Sequence, residues 1–122
     1  MKKKNIIAVV LLSLLVGCAT VNNNKVVVQK ISCDNMKEFM KQDDSFLIDV
    51  RETSEYEEDH LEGAINISNT RMDSITSYDN IHKDSIIIVY CKSGTRSKNS
   101  ADKLVSMGYR KVYDLGSIEN CK

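Results

Sequence analysis

The run Ser85-Ile86-Ile87-Ile88-Val89-Tyr90-Cys91 constrains this chain more than any other stretch. Five consecutive apolar residues, Ile86 to Tyr90, four of them β-branched, favour extended backbone and show no polar alternation. A strand open to water on one side alternates, so this one needs cover on both faces. It belongs in the interior of a parallel sheet with helices above and below.

The remaining sequence supplies the other layers. "KVVVQKIS" (25–32), "FLIDV" (46–50), "GAINIS" (63–68) and "KVYDL" (111–115) are further strand candidates. Between the first two, "DNMKEFMKQ" sets Met36, Phe39 and Met40 at helical spacing. Ser54 and Glu57 have the spacing of a capping box opening a short acidic helix. "TRMDSITSY" reads as a weak helix, and "SKNSADKLVSMGY" as a helix closed by Gly108. Alternation of this kind predicts an α/β domain with a mostly parallel five-stranded sheet and helices on both faces. With 122 residues the chain has material for one such domain.

The N-terminus reads as an address. Lys2, Lys3 and Lys4 precede an uncharged run, Ile6 to Val16, too short for a membrane-spanning helix but suited to a signal-peptide core. It ends in Leu15-Val16-Gly17-Cys18, which resembles the lipobox of bacterial lipoproteins, where cleavage before the cysteine leaves its thiol to carry diacylglycerol and its amine an acyl chain. The expected organisation is therefore a signal peptide over 1–17, a lipid-bearing tether over 18–25 and a folded domain over 26–122. The expected location is the cell envelope, anchored by lipid to a bacterial membrane and facing away from the cytoplasm. Without its three N-terminal lysines the chain keeps 14 of 17 basic residues against 17 acidic ones, about −3 in formal charge. The basic residues form no stripe, which excludes a nucleic-acid footprint.

Cys91 ends the most apolar strand just before a helix, the place where open parallel sheets bind ligands. Lys92-Ser93-Gly94-Thr95-Arg96 then provides small residues, one conformationally free glycine, and successive N–H groups that can converge on an anion. The helix dipole, Lys92 and Arg96 all favour negative charge there, so the surroundings can generate a thiolate nucleophile. Asp49 and Arg51 end another strand and are expected to tie it to neighbouring backbone. His60 and His82 lack ligand spacing, and neither a metal site nor a cofactor is expected. Cys33 is expected to pack. Cys121 is expected to be a partly exposed thiol, with a second reading as resolving partner of Cys91 under oxidation.

From about Ile31 to Cys121 the chain resembles the rhodanese-like sulfurtransferases, through "LIDVRETSEYEEDHLEGAINI" and "VYCKSGTRSKNSADKLVSMGYRKVYDLGSIENC". The resemblance implies the rhodanese-like fold. It also implies that Cys91 attacks the outer sulfur of thiosulfate or a polysulfide, holds it as a persulfide within the loop of residues 92–96, and passes it on. The implied donor is a small sulfur-containing anion, and the acceptor cyanide or a thiol, a protein thiol included. Asp59 and Glu62 depart from the family's frequent Gly and Pro, Ser117 from a frequent second glycine, and Cys121 from a usual tryptophan, a loss of apolar burial that predicts a looser C-terminal edge. Two other functions are open to such a chain. One is a non-catalytic sulfur carrier or sensor on the same fold. The other is a phosphatase or arsenate reductase, whose oxyanion needs a wider loop than the four residues between Cys91 and Arg96.

Overall fold

The apolar run forms the middle strand of a five-stranded sheet in the computed structural model, which describes residues 25–122. Cys18 and the expected signal segment lie outside the described residues. In chain order the elements are β1 (Gln29–Lys30), α1 (Cys33–Phe39), β2 (Ser45–Asp49), α2 (Thr53–Glu58) and β3 (Ala64–Asn66). A 3-10 segment (Asn69–Ser77), β4 (Ile86–Cys91), α3 (Thr95–Ser106), β5 (Lys111–Ser117) and a terminal 3-10 turn (Ile118–Cys121) follow. The sheet order is β1-β5-β4-β2-β3, and every pairing is parallel.

Every residue of β4 is buried, as its lack of alternation requires. Ile87, Val89 and Cys91 face Ala101 and Leu104 of α3 together with Met72 and Ile75 of the 3-10 segment. Ile86, Ile88 and Tyr90 face the opposite layer, with Met36 of α1, Leu115 and Ile118. At roughly 1.5–3 kcal/mol for each large apolar side chain taken from water, this strand is the main source of cohesion.

Several boundaries differ from expectation for local reasons. Within "KVVVQKIS" the strand pairing is confined to Gln29 and Lys30, opposite Tyr113 and Asp114, with the Ile31 N–H adding a bond to Asp114 O, so β1 is a short edge strand and Val27 stays exposed. The helix expected near Ser54 begins two residues earlier. Its capping box is Glu52 with Glu55, whose carboxylate accepts the Glu52 N–H at 3.2 Å. In "TRMDSITSY" the hydroxyls of Ser74, Thr76 and Ser77 each donate to the carbonyl three residues back. Such local bonds compete with the α-helical ladder, and the segment winds as 3-10 with a break at Arg71.

Beside the end of β4, β5 carries one extra residue. Val89 pairs with Asp114 but Tyr90 with Gly116 and Cys91 with Ser117. The Asp114 carboxylate accepts the Gly116 N–H at 2.9 Å, and Gly116 takes φ +82°. This bulge bends β5 toward the loop that follows Cys91.

Candidate active site

Cys91 is fully buried at the carboxyl end of β4. Gly94 turns the chain back over it at φ +102°, a left-handed conformation that a side chain would strain. The turn directs the Gly94 N–H at the thiol, N to Sγ 3.0 Å, and the first turn of α3 adds the Ser97 N–H at 3.4 Å. The Thr95 and Arg96 N–H groups sit in the same first turn, where the helix has no carbonyl of its own to offer them. The Ser97 hydroxyl donates to Gly94 O at 3.1 Å and closes the loop on itself. The sulfur thus meets a helix N-terminus and two converging N–H groups.

The two basic side chains of the loop behave differently from each other. Lys92 is exposed. Arg96 reaches across to α2, donating to the two Glu55 oxygens at 2.6 and 3.1 Å. Its hydrogen bonds hold the Glu55 carboxyl well below the usual range, at about 2, and raise the Arg96 guanidinium in turn. Arg96 is therefore held in a fixed position, with its guanidinium occupied by Glu55.

Asp49 and Arg51 hold a second network on the far face of the sheet. Asp49 is fully buried and accepts from Arg51 Nε at 3.0 Å and Arg51 Nη2 at 2.7 Å. It also accepts the Tyr90 hydroxyl at 2.9 Å. Burial pushes the Tyr90 phenol well up, so it stays a donor, and its oxygen accepts the Leu61 N–H at 3.0 Å. Arg51 Nη2 donates to Asp59 O at 2.5 Å. These bonds fasten the 59–61 loop to the strand next to Cys91, and among the described residues no buried side-chain nitrogen or oxygen lacks a hydrogen-bond partner. His60 stacks on Tyr56, with Nδ1 2.8 Å from Tyr56 O, a structural role.

The expectations for Cys33 and Cys121 are corrected. The two form a disulfide, with Cα atoms 5.3 Å apart and a sequence separation of 88. Cys91 is free and packs on the opposite face of the sheet, so Cys121 cannot resolve it in this arrangement. The C-terminal edge is not loose either. In place of an aromatic side chain, a covalent bond ties it to α1, and Lys122 pairs with Asp59 at 2.7 Å.

Sequence reasoning did not single out Ser97, Glu55 or Tyr90 for the site. Ser97 was open to it, because the third N–H of a helix is among those left free. Glu55 and Tyr90 act across 41 positions each, on Arg96 and Asp49, and no local pattern marks such pairs.

A thiol held this way on a wholly parallel sheet defines a class. The rhodanese-like domain family matches residues 32–122, and the chain belongs to it. It is similar to thiosulfate sulfurtransferase GlpE of Coxiella burnetii, 33% identical over 86 residues that make up 70% of this chain and 78% of that protein. Thiosulfate sulfurtransferase PspE of Escherichia coli is 32% identical over 73 residues, 60% of this chain and 70% of that one. Among solved structures, a rhodanese with anions from E. coli superposes with a TM-score of 0.58 at 31% identity, covering 62% of this chain and 89% of that one.

Proposed function

We propose that this protein is a sulfurtransferase that moves sulfane sulfur from thiosulfate or a polysulfide to a thiophilic acceptor through a persulfide on Cys91. The observation that carries the reading is the Cys91 sulfur accepting N–H bonds from Gly94 and Ser97 at the head of α3. The Cys91 thiolate attacks the outer sulfur of the donor. One S–S bond forms to Cys91 as the donor's own S–S bond breaks, and sulfite leaves thiosulfate with the electron pair. The outer sulfur of the persulfide then lies where the loop N–H groups of residues 93–96 point, and these stabilise its negative charge as the donor departs. Cyanide or a thiolate next attacks that outer sulfur, takes it as thiocyanate or a persulfide, and returns the Cys91 thiolate. Lys92 draws the anionic donor from solvent, and Arg96 lends its charge from its place on Glu55.

Intact-mass measurement after thiosulfate treatment is the test. Wild-type protein is expected to gain one sulfur atom that cyanide removes, and Cys91→Ser to gain none while keeping its fold. Continued turnover in Cys91→Ser would overturn the assignment, and ready hydrolysis of an aryl phosphate by unaltered protein would favour phosphatase chemistry instead.

The domain is proposed to work outside the cytoplasm on a lipid carried by Cys18. The lipobox-like Leu15-Val16-Gly17-Cys18 supports this, and so does the Cys33–Cys121 disulfide, a bond that persists in oxidising compartments. Mass analysis of the membrane fraction is expected to find a chain beginning at acylated Cys18; an unmodified Cys18 would refute it.

A further inference from the structure

Ser117 stands directly beside Cys91 in the sheet, at the end of β5. Its hydroxyl donates to Lys92 O at 2.6 Å and accepts the Glu119 N–H at 3.0 Å. One oxygen therefore joins the loop around the thiol to the terminal 3-10 turn. We infer that Ser117 is a positioning residue for the Cys91 loop, and that the Cys33–Cys121 disulfide keeps it in position. The inference rests on the sulfurtransferase reading of Cys91 and adds to it a residue and a covalent lock outside the loop.

The peptide plane explains why one hydrogen bond matters here. Lys92 C=O and Ser93 N–H belong to a single rigid trans unit, so fixing the carbonyl on Ser117 fixes the direction of the Ser93 N–H. That N–H is the first of the 93–96 groups that the sulfurtransferase reading assigns to the outer sulfur. The loop lies against β5: a Cβ built on Gly94 would be 3.8 Å from the Gly116 Cα, an ordinary van der Waals contact. The β5 bulge, held by Asp114 on the Gly116 N–H, brings Ser117 to this place.

Ser117 is in turn held from behind. The terminal turn it caps is pinned by buried Ile118, by Asn120 Nδ2 donating to Leu115 O at 2.8 Å, and by Cys121 bonded to Cys33 on α1. Three residues separate Ser117 from Cys121. Without the disulfide, that turn loses its covalent attachment to α1, and Ser117 loses the fixed base from which it grips Lys92 O. The side chain that departs from the family's usual glycine and the one that departs from its usual tryptophan would thus form one device.

The test compares wild type, Ser117→Ala, Ser117→Thr, Cys33→Ser/Cys121→Ser and the combined Ser117→Ala triple variant. Persulfide loading of wild-type Cys91, by mass, is measured first and decides the sulfurtransferase reading separately. Ser117→Ala is expected to lower kcat about fivefold, the rate equivalent of about 1 kcal/mol for one neutral hydrogen bond, with KM nearly unchanged. Ser117→Thr, which restores a hydroxyl, is expected to recover most of the rate. The serine pair is expected to lower kcat as well, and Ser117→Ala to cost less in that background than alone, since coupled residues are not additive. Unchanged kcat in Ser117→Ala, or a threonine variant no better than alanine, would overturn the positioning role. Full additivity would overturn the link to the disulfide. Should the serine pair fail to fold, amide exchange of residues 92–97 in wild type with and without a phosphine reductant replaces it: faster exchange on reduction supports the link, and unchanged exchange overturns it.

Discussion

Arg96 shows how one side chain's contribution depends on another 41 residues away. Because Glu55 takes both guanidinium bonds, the cation is fixed near the thiol yet not free to grip a donor. At about 30% exposure on each partner, the pair is worth about 1 kcal/mol. The Glu55 carboxyl titrates at about 2 when folded, against about 4.3 when unfolded. A depressed carboxyl stabilises the fold above the unfolded value and loses that effect as pH falls toward the folded one. The stability gap between wild type and Glu55→Gln is therefore expected to be full above pH 4.5, to shrink as acid is added, and to vanish near pH 2. Urea unfolding across that range measures it; a gap that grew with acid would show the sign to be wrong. At this scale adjacency in the sequence was enough to place Cys91 at a strand end and its loop at the head of a helix, as the structure has them. It left out Glu55 and misassigned Cys33, since a residue whose partner lies far along the chain carries no local mark of that partner.

The loop and α3 act as one element. Gly94 is the point where the strand direction turns into the helix, and its φ of +102° is open to glycine alone at low cost. Space is not the obstacle, because the nearest atom to an added Cβ lies at 3.8 Å. Gly94→Ala is expected to cost roughly 1–2 kcal/mol from backbone strain. It is also expected to slow persulfide formation by more than that loss of stability explains, since the Gly94 N–H itself bonds the sulfur. Chemical denaturation and loading rates measured on the same samples would separate the two effects; equal loading rates would mean the loop tolerates another geometry. Elements were legible wherever apolar period and burial agree, as in β4 and α3. They were misjudged where hydroxyls competed for backbone carbonyls, as over Asn69–Ser77, or where a strand lacked partners, as at Val26–Val28.

For the whole molecule, the disulfide is the strongest constraint beyond the core. Closing 88 residues restricts the unfolded chain, and in the chain-entropy account such a bond is worth about 3 to 5 kcal/mol. Replacing both cysteines by serine is expected to lower unfolding free energy by that order in a denaturant titration; a change under about 1 kcal/mol would mean the bond adds little to the fold. The sequence predicted the sheet but not this tie, because two cysteines 88 positions apart do not reveal that the sheet order sets β1 beside β5 and brings them together. That order has a consequence for how the protein is made. β1 is laid down first and pairs only with β5, the last strand, so a chain delivered from its N-terminus cannot complete its sheet until residues past Lys111 have arrived. Until then the Cys33 thiol waits without its partner, so the disulfide can close only after Cys121 has arrived and β5 has taken its place in the sheet.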